Sequence, residues 1–340
     1  MNLNNENAPV LIIFFNRPGT LSAVFDAVKK AKPKVLLLAQ DGPREGKDDL
    51  EKIKECRKIV ENVDWDCTVY KNYSETNLSC DHREFTAITW AFTIVDRLII
   101  LEDDCVPSPT FFPFCTEMLE RYKDDKRVDR ICGFNRIEKY EDVASDYFFS
   151  TISSGYGWGT WKRCWDEIER SKDYAFLDDE DLINTFLKSQ KTIVDWNYGD
   201  IISQCKKCRD INQRTGKISS WENLVGIYSM LNHSLIITPK YNMVRNIGAV
   251  EGSTHYADLA FVNSSVRKML KMPAYDLTFP LKHPTHVIRD VNYEKKHYKR
   301  IHNSPIKKTI LKLEVVAKRL IHGDFNGIKK AIIRRVKKGE

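Results

Sequence analysis

The sequence predicts an α/β protein built on a mostly parallel central sheet, followed by a basic amphipathic helical tail. Three observations carry this. Short apolar runs alternate with segments of helical period through roughly the first hundred residues. Those runs are apolar throughout rather than at every second residue, as strands covered on both faces require. The last stretch, 305–340, sets apolar residues at helical spacing among lysines and arginines.

Taken in order, "APVLIIFFNRP" is a buried strand ended by Asn16, Arg17 and Pro18. "GTLSAVFDAVKKAKP" places Leu21, Val24, Phe25 and Val28 on one helical face, with Pro33 beyond its end. "KVLLLAQDGPRE" is a second strand breaking at Asp41-Gly42-Pro43. A charged amphipathic helix over 47–63, a short strand in "DCTVYKN", a helix over 83–96 and the strand "RLIILEDD" follow. Beyond Pro113 the pattern changes: a helix near 111–123, a glycine- and aromatic-rich loop at 153–165, and helical segments over 176–216 and 220–231. Residues 234–246 read as strand and turn. The segment 263–304, with weak periodicity, reads as a wrapping or linking region. The expected divisions are therefore 1–106, 107–262, 263–304 and 305–340.

The chain has 340 residues, 42% hydrophobic and 30% charged, enough for one large α/β domain or two small ones. Residues 1–20 lack a basic stretch followed by an apolar run, so no secretory signal is expected. No window approaches the roughly 18–20 apolar residues that span a bilayer. The 9 cysteines, odd in number and scattered, suit free thiols in a reducing cytoplasm. Cys205 and Cys208 form one CxxC without a second pair or a histidine cluster, which favours two thiols on one helical segment over a zinc site. The net charge of +7 belongs to the tail: 305–340 holds eleven Lys or Arg against three acids, +8, and the preceding residues sum to −1. A near-neutral body without a recognised motif argues against nucleic-acid binding.

Open α/β sheets bind ligands at the carboxyl ends of their strands, and Arg17, Asp41 and Glu102-Asp103-Asp104 all fall there. The acidic triplet is either a solvated turn or a hard-cation site, because Mg2+ and Mn2+ favour carboxylate oxygen. Asp41 either makes a turn with Gly42-Pro43 or accepts a hydrogen bond from a base or ribose. Arg17 is a surface arginine or a phosphate fork. His82 and Arg83, at the start of a helix, suit phosphate together with helix amides. Tyr156, Trp158, Trp161 and Trp165 are core residues or, in a glycine loop, faces for a sugar ring. Glu222, after Trp221 at a helix start, is a first-turn acid favoured by the helix dipole or a general base; Asp195 in "VDWN" is its rival.

Six stretches occur in one order: "FFNRP", "QDGP", "IILEDDCVPSPTFF", "GYGWGTWKRCW", "GKISSWENL" and "PKYNMVRNIGAVEGSTH". That order resembles bacterial GT-A glycosyltransferases related to the N-acetylglucosaminyltransferase I group, over about residues 9–256. The resemblance implies metal-dependent, inverting transfer of a sugar from a nucleotide diphosphate, usually UDP, with Mn2+ or Mg2+ as cofactor. It implies a nucleotide-sugar half over 1–106 and an acceptor half over 107–262. By position it makes Asp104 the metal ligand, Asp103 its neighbour toward the donor sugar or ribose, and Glu102 a donor-sugar contact. Asp41 then reads the uracil, Arg17 meets the pyrophosphate, His82 contacts the nucleotide loop and Trp158 lies near the sugars. Glu222 stands where relatives usually carry Asp after Trp as the base, one methylene longer.

In the tail, Ile306, Ile310, Leu313, Ala317 and Leu320 form a stripe flanked by Lys307, Lys308, Lys312, Lys318 and Arg319. Such a helix suits an anionic membrane surface or packs on the body with a solvated basic face. The expectation is an enzyme on the cytoplasmic membrane face, joining a UDP-sugar to a glycan or lipid-linked acceptor in surface-polysaccharide synthesis. A sugar nucleotidyltransferase is the rival enzyme, although "NRPGTLS" lacks the basic triphosphate loop it needs. A membrane-bound scaffold with a degenerate site is the non-catalytic rival.

Overall fold

Strand β1 (Val10–Phe14) sends Val10, Ile12 and Phe14 into one hydrophobic layer and Leu11 and Ile13 into the other. This two-sided burial is the period-2 geometry of a strand with both faces covered. β2 (Val35–Gln40) divides in the same way, Leu36 and Leu38 against Leu37 and Ala39. β4 (Arg97–Glu102) does too, with Ile99 and Leu101 opposite Leu98 and Ile100. The expected apolar runs are therefore the centre of the sheet. Fully burying one such side chain is worth about 1.5–3 kcal/mol. The computed structural model describes residues 7–152, 154–189, 198–248, 263–301, 305–322 and 324–325.

Between β1 and β2 runs α1 (Pro18–Ala31), begun by a proline suited to the first helical turn and ended by a left-handed Lys32. α2 (Leu50–Val60) leads to β3 (Thr68–Tyr73), and α3 (Cys80–Ala91) leads to β4. The short β5 (Cys105–Pro107) and α4 (Phe111–Arg121) precede β6 (Val128–Cys132), β7 (Tyr147–Ser150) and β8 (Trp158–Trp161). Then come α5 (Lys162–Arg170), α6 (Glu180–Ser189), α7 (Tyr198–Thr215) and α8 (Trp221–Leu231). β9 (Leu235–Pro239), β10 (Val244–Asn246), α9 (Ser264–Leu270), α10 (Val291–Ile301) and α11 (Pro305–Ile321) follow.

The main sheet has the order β3-β2-β1-β4-β8-β6-β9-β7. β3, β2, β1 and β4 are mutually parallel, as is β6 with β9; β8 and β7 run antiparallel to their neighbours. The mostly parallel α/β architecture expected from the sequence is thus present. α1, α2 and α4 cover one face; α3, α5, α7 and α8 cover the other. β5 and β10 form a separate antiparallel ribbon beside the end of β4.

Two expectations change. The glycine-rich 153–165 segment is not all loop, because Trp158–Trp161 is a strand wedged antiparallel between β4 and β6. A side chain at Gly159 would press to 3.2 Å from the Leu98 carbonyl, and Gly157 holds φ +62°. Both glycines therefore serve close strand approach. Within the expected linking segment, residues 263–301 are also more ordered than their periodicity implies, since α9 and α10 lie there. α10 is anchored by Tyr293, His297 and Glu294, and Glu294 accepts from the Thr151 amide at 2.7 Å. Cys205 and Cys208 are buried thiols on α7, packed in the second layer.

Candidate active site

Parallel strands β2, β1 and β4 lie side by side, so the residues that leave their carboxyl ends meet at one edge of the sheet. Arg17 follows β1, Asp41 follows β2, and Glu102, Asp103 and Asp104 close β4. Arg17 binds both aspartates, hydrogen-bonding Asp103 through Nη2 and pairing with Asp104 Oδ2 through Nη1 at 2.9 Å. The Phe15 amide also donates to Asp103, at 3.2 Å. One guanidinium fork therefore offsets the repulsion of the adjacent acids. Burial works against the charge of Arg17, yet Asp103 and Asp104 hold it above its usual range. Burial pushes the Asp103 carboxyl up to about 6, even against the pull of Arg17.

Asp104 is tied from the ribbon as well. Asn246 of β10 donates to its Oδ1 at 3.1 Å, and its backbone carbonyl receives the Ile247 amide at 2.9 Å. A Cβ at Gly248 would collide with its carboxylate, so the chain passes Asp104 only because residue 248 is glycine. Asn246 and Gly248 belong to the "VRNIG" stretch that contributed to the resemblance, although no local pattern marks either of them.

Among the described residues, no group of three or more His, Cys, Asp or Glu is arranged to hold a metal. That does not disqualify the site. Mg2+ is commonly held by one or two carboxylates together with substrate phosphates rather than by a full protein cage. Asp104 supplies a hard oxygen, and Arg17 beside it supplies a phosphate fork. The donor set fits a cation shared between Asp104 and a diphosphate.

A second group of acids lies behind the first. Burial, then the charges of Glu84 and Asp104, push Glu102 well above the usual carboxylate range. Glu84, on α3, is buried and raised to about 8, mainly by burial, with added repulsion from Asp81 and Glu222. The Cys80 thiol donates to it at 2.8 Å, and the Trp221 side chain hydrogen-bonds it too. Nothing local in the sequence marks Glu84, an acid on a helix, as buried. Glu222 is exposed in the first turn of α8, after Ser220 at φ 53°. Its charge reaches both Glu102 and Glu84. Asp195 lies outside the described residues.

The remaining candidates are placed as follows. Asp41 is buried, with Oδ1 accepting from the amides of Gly42 at 2.9 Å and Leu78 at 2.8 Å. Its Oδ2 accepts from Asn77 Nδ2 at 3.0 Å. The Asp41 carboxylate thus organises the 77–78 turn. His82 Nδ1 accepts from the Ile218 amide at 3.1 Å, linking α3 to the approach to α8. Arg83 is buried and donates to Asn72 Oδ1 at 2.9 Å, clamping α3 to β3. Trp158 and Trp221 are both buried and stack on each other with ring centroids 5.7 Å apart. Tyr156 is half-buried and meets Phe134 edge-on at 5.2 Å. Beside Glu222 opens a cavity of about 380 Å3 between α8 and the sheet, and the two stacked indoles form part of its wall.

No family model matches the chain, and no curated protein matches it. Solved structures do. A UDP-glucose pyrophosphorylase complexed with UDP-glucose is 8% identical, with a TM-score of 0.36 over 69% of this chain and 92% of that one. A mannosyltransferase from Pyrobaculum calidifontis in complex with GDP-Man and Mn2+ is 11% identical, with a TM-score of 0.34 over 67% of this chain and 70% of that one.

Proposed function

We propose that the chain is a metal-dependent, inverting glycosyltransferase that moves a sugar from a UDP-sugar to a hydroxyl of a glycan or lipid-linked acceptor. The observation that carries this is the joining of Arg17 to both Asp103 and Asp104 at the carboxyl edge of the sheet, with Glu222 in electrostatic reach of the neighbouring Glu102. Asp104, with the donor diphosphate, would hold Mn2+ or Mg2+, which would supply positive charge for the leaving diphosphate. Arg17 orients the diphosphate, and Glu102 and Asp103 shape the donor-sugar end. The loop around Asp41, with His82 and Arg83 behind it, forms the nucleotide corner. Tyr156, Trp158 and Trp221 border the sugar sites.

Glu222 takes the proton of the acceptor hydroxyl as that oxygen attacks the anomeric carbon. The carbon–oxygen bond to the diphosphate breaks, and the diphosphate leaves with the bonding pair. One displacement inverts the anomeric centre and needs one base. Gly155 leaves the Glu222 carboxylate its room: a Cβ at 155 would lie 2.7 Å from Oε1.

The tail supports a peripheral membrane position. On α11, Ile310, Leu313 and Leu320 are exposed, at 58%, 61% and 51%, and lysines flank that stripe. No helix among the described residues is long and apolar enough to cross a membrane. The test of the reaction is a screen of UDP-sugars for Mn2+-dependent release of UDP, with water and sugar acceptors. Release from one donor supports the reading, and no release from any of them, in a protein that also fails to bind UDP with Mn2+, sinks it.

A further inference from the structure

The cavity beside Glu222 follows one face of a helix. Glu222, Gly226, Met230 and His233 all line it, spaced by four, four and three residues along α8 and its end. From Glu222 to Met230 that face is about 12 Å long, longer than one sugar ring. Gly226 stands in the interior of this helix, where glycine costs about 1 kcal/mol relative to alanine. A Cβ there would meet nothing within 4 Å, so no packing demand explains the glycine. Its effect is to widen the cavity just beyond the base.

Three arginines line the same cavity: Arg130, Arg136 and Arg289. Arg130, buried, is gripped by Asp129 at 3.0 Å and donates to the Val225 carbonyl at 3.0 Å. Arg289 is held by Glu294, with Nε donating at 2.8 Å. Each uses Nε and Nη2 on the protein, and among the described residues neither Nη1 makes a hydrogen bond. The acids that fix Arg130 and Arg289, Asp129 and Glu294, do not line the cavity, and among the described residues Glu222 is its one acidic lining residue. Preorganised, ionised donors facing a largely apolar space recognise a charged oxygen group.

We propose that this cavity is a subsite for an anionic group, phosphate or carboxylate, carried by the acceptor on the part that extends beyond the attacked hydroxyl. The proposal rests on the glycosyltransferase reading only for the word acceptor. The anion site itself stands on the arginines and the open helix face. Phosphate and carboxylate share this chemistry, so the source is resolved by probe.

The stacked Trp158–Trp221 pair in the cavity wall reports occupancy. Tryptophan fluorescence is followed while full-length protein is titrated, at constant ionic strength and without metal, with methyl phosphate, with glucuronate and with uncharged glucose as control. A saturable change is expected with one of the two anions and not with glucose; which anion saturates separates a phosphorylated from a carboxylated acceptor. Arg136→Gln should weaken it about 10-fold, as loss of one charge-assisted contact does. Gly226→Leu should abolish it by filling the space, and Gly226→Ala should fold and bind like the parent. UDP binding with Mn2+ should be unchanged in all three variants. Equal anion affinity in parent, Arg136→Gln and Gly226→Leu overturns the proposal, as does a parent that answers neither anion more than glucose. A parent that binds the anion in this cavity but no UDP instead removes the donor reading and leaves the subsite.

Discussion

Gly155 and Glu222 approach so closely that a methyl group on residue 155 would stand 2.7 Å from the Glu222 Oε1. The contact joins the segment before β8 to the first turn of α8. Gly155→Ala should displace the Glu222 carboxylate without disturbing Arg17 or Asp104, which lie on other elements. Misplacement on the order of 1 Å lowers turnover up to about 100-fold. The expected result is a fall in kcat of that order with the affinity for UDP and Mn2+ unchanged. Parent-like turnover would separate Glu222 from the chemistry and move the role of base toward Asp195.

Asp104 is where metal and diphosphate are expected to meet, and Arg17 already spans it and Asp103. Asp104→Asn keeps the size of the side chain and its contact with Asn246 while removing the charge. Mn2+-dependent binding of UDP, followed by calorimetry, should weaken at least about 10-fold. Arg17→Lys should weaken UDP binding with and without metal, because a point charge replaces a two-nitrogen fork. Identical metal dependence in parent and Asp104→Asn would remove Asp104 as a ligand.

Glu84 makes a prediction that does not depend on any substrate. Its pKa is raised to about 8 in the fold, mainly by burial, against about 4.3 in an unfolded chain. Between those values the folded state binds the extra proton, so stability falls as pH rises through that window. Glu84→Gln keeps a partner for Cys80 and Trp221 and carries no charge. The variant should match the parent near pH 4 to 5 and become more stable than it by at least about 1 kcal/mol toward pH 8. Chemical denaturation at several pH values checks this, and a parallel pH dependence in both proteins would mean that Glu84 is ionised inside the fold.

Much of this arrangement is legible in the sequence, for a definite reason. A strand buried on both faces is apolar throughout, so "VLIIF", "VLLLAQ" and "RLIILE" declare the sheet centre, and the polar residues within three positions of each mark its carboxyl end. Arg17, Asp41 and Asp104 all stand in that window. Trp158–Trp161 was missed because glycine reads as punctuation, whereas here Gly157 and Gly159 permit strand contact. Glu84 and Gly226 were missed because their meaning is tertiary: the one is an acid facing inward, the other a gap facing a cavity. Spacing shows the apolar face of a helix such as α1, but not that an acid such as Glu84 turns inward, nor what lies opposite it.

The tail supplies the last prediction. α11 presents Ile310, Leu313 and Leu320 to solvent, while Glu314 pairs with Lys318 at 2.9 Å and joins Arg267 of α9. The helix is thus fastened to α9 by its one acid, with Ile310, Leu313 and Leu320 uncovered. On an anionic bilayer each well-placed Lys or Arg adds about 1 kcal/mol, and the stripe adds apolar burial. Full-length protein should sediment with vesicles containing phosphatidylserine, and less so in high salt, where surface charges are screened. Removing residues 305–340 should release it while sparing Mn2+-dependent UDP binding. Leu313→Asp should weaken vesicle binding with every lysine retained, which separates insertion of the stripe from attraction of charge alone. Undiminished sedimentation of the truncated chain would place the membrane contact elsewhere on the molecule.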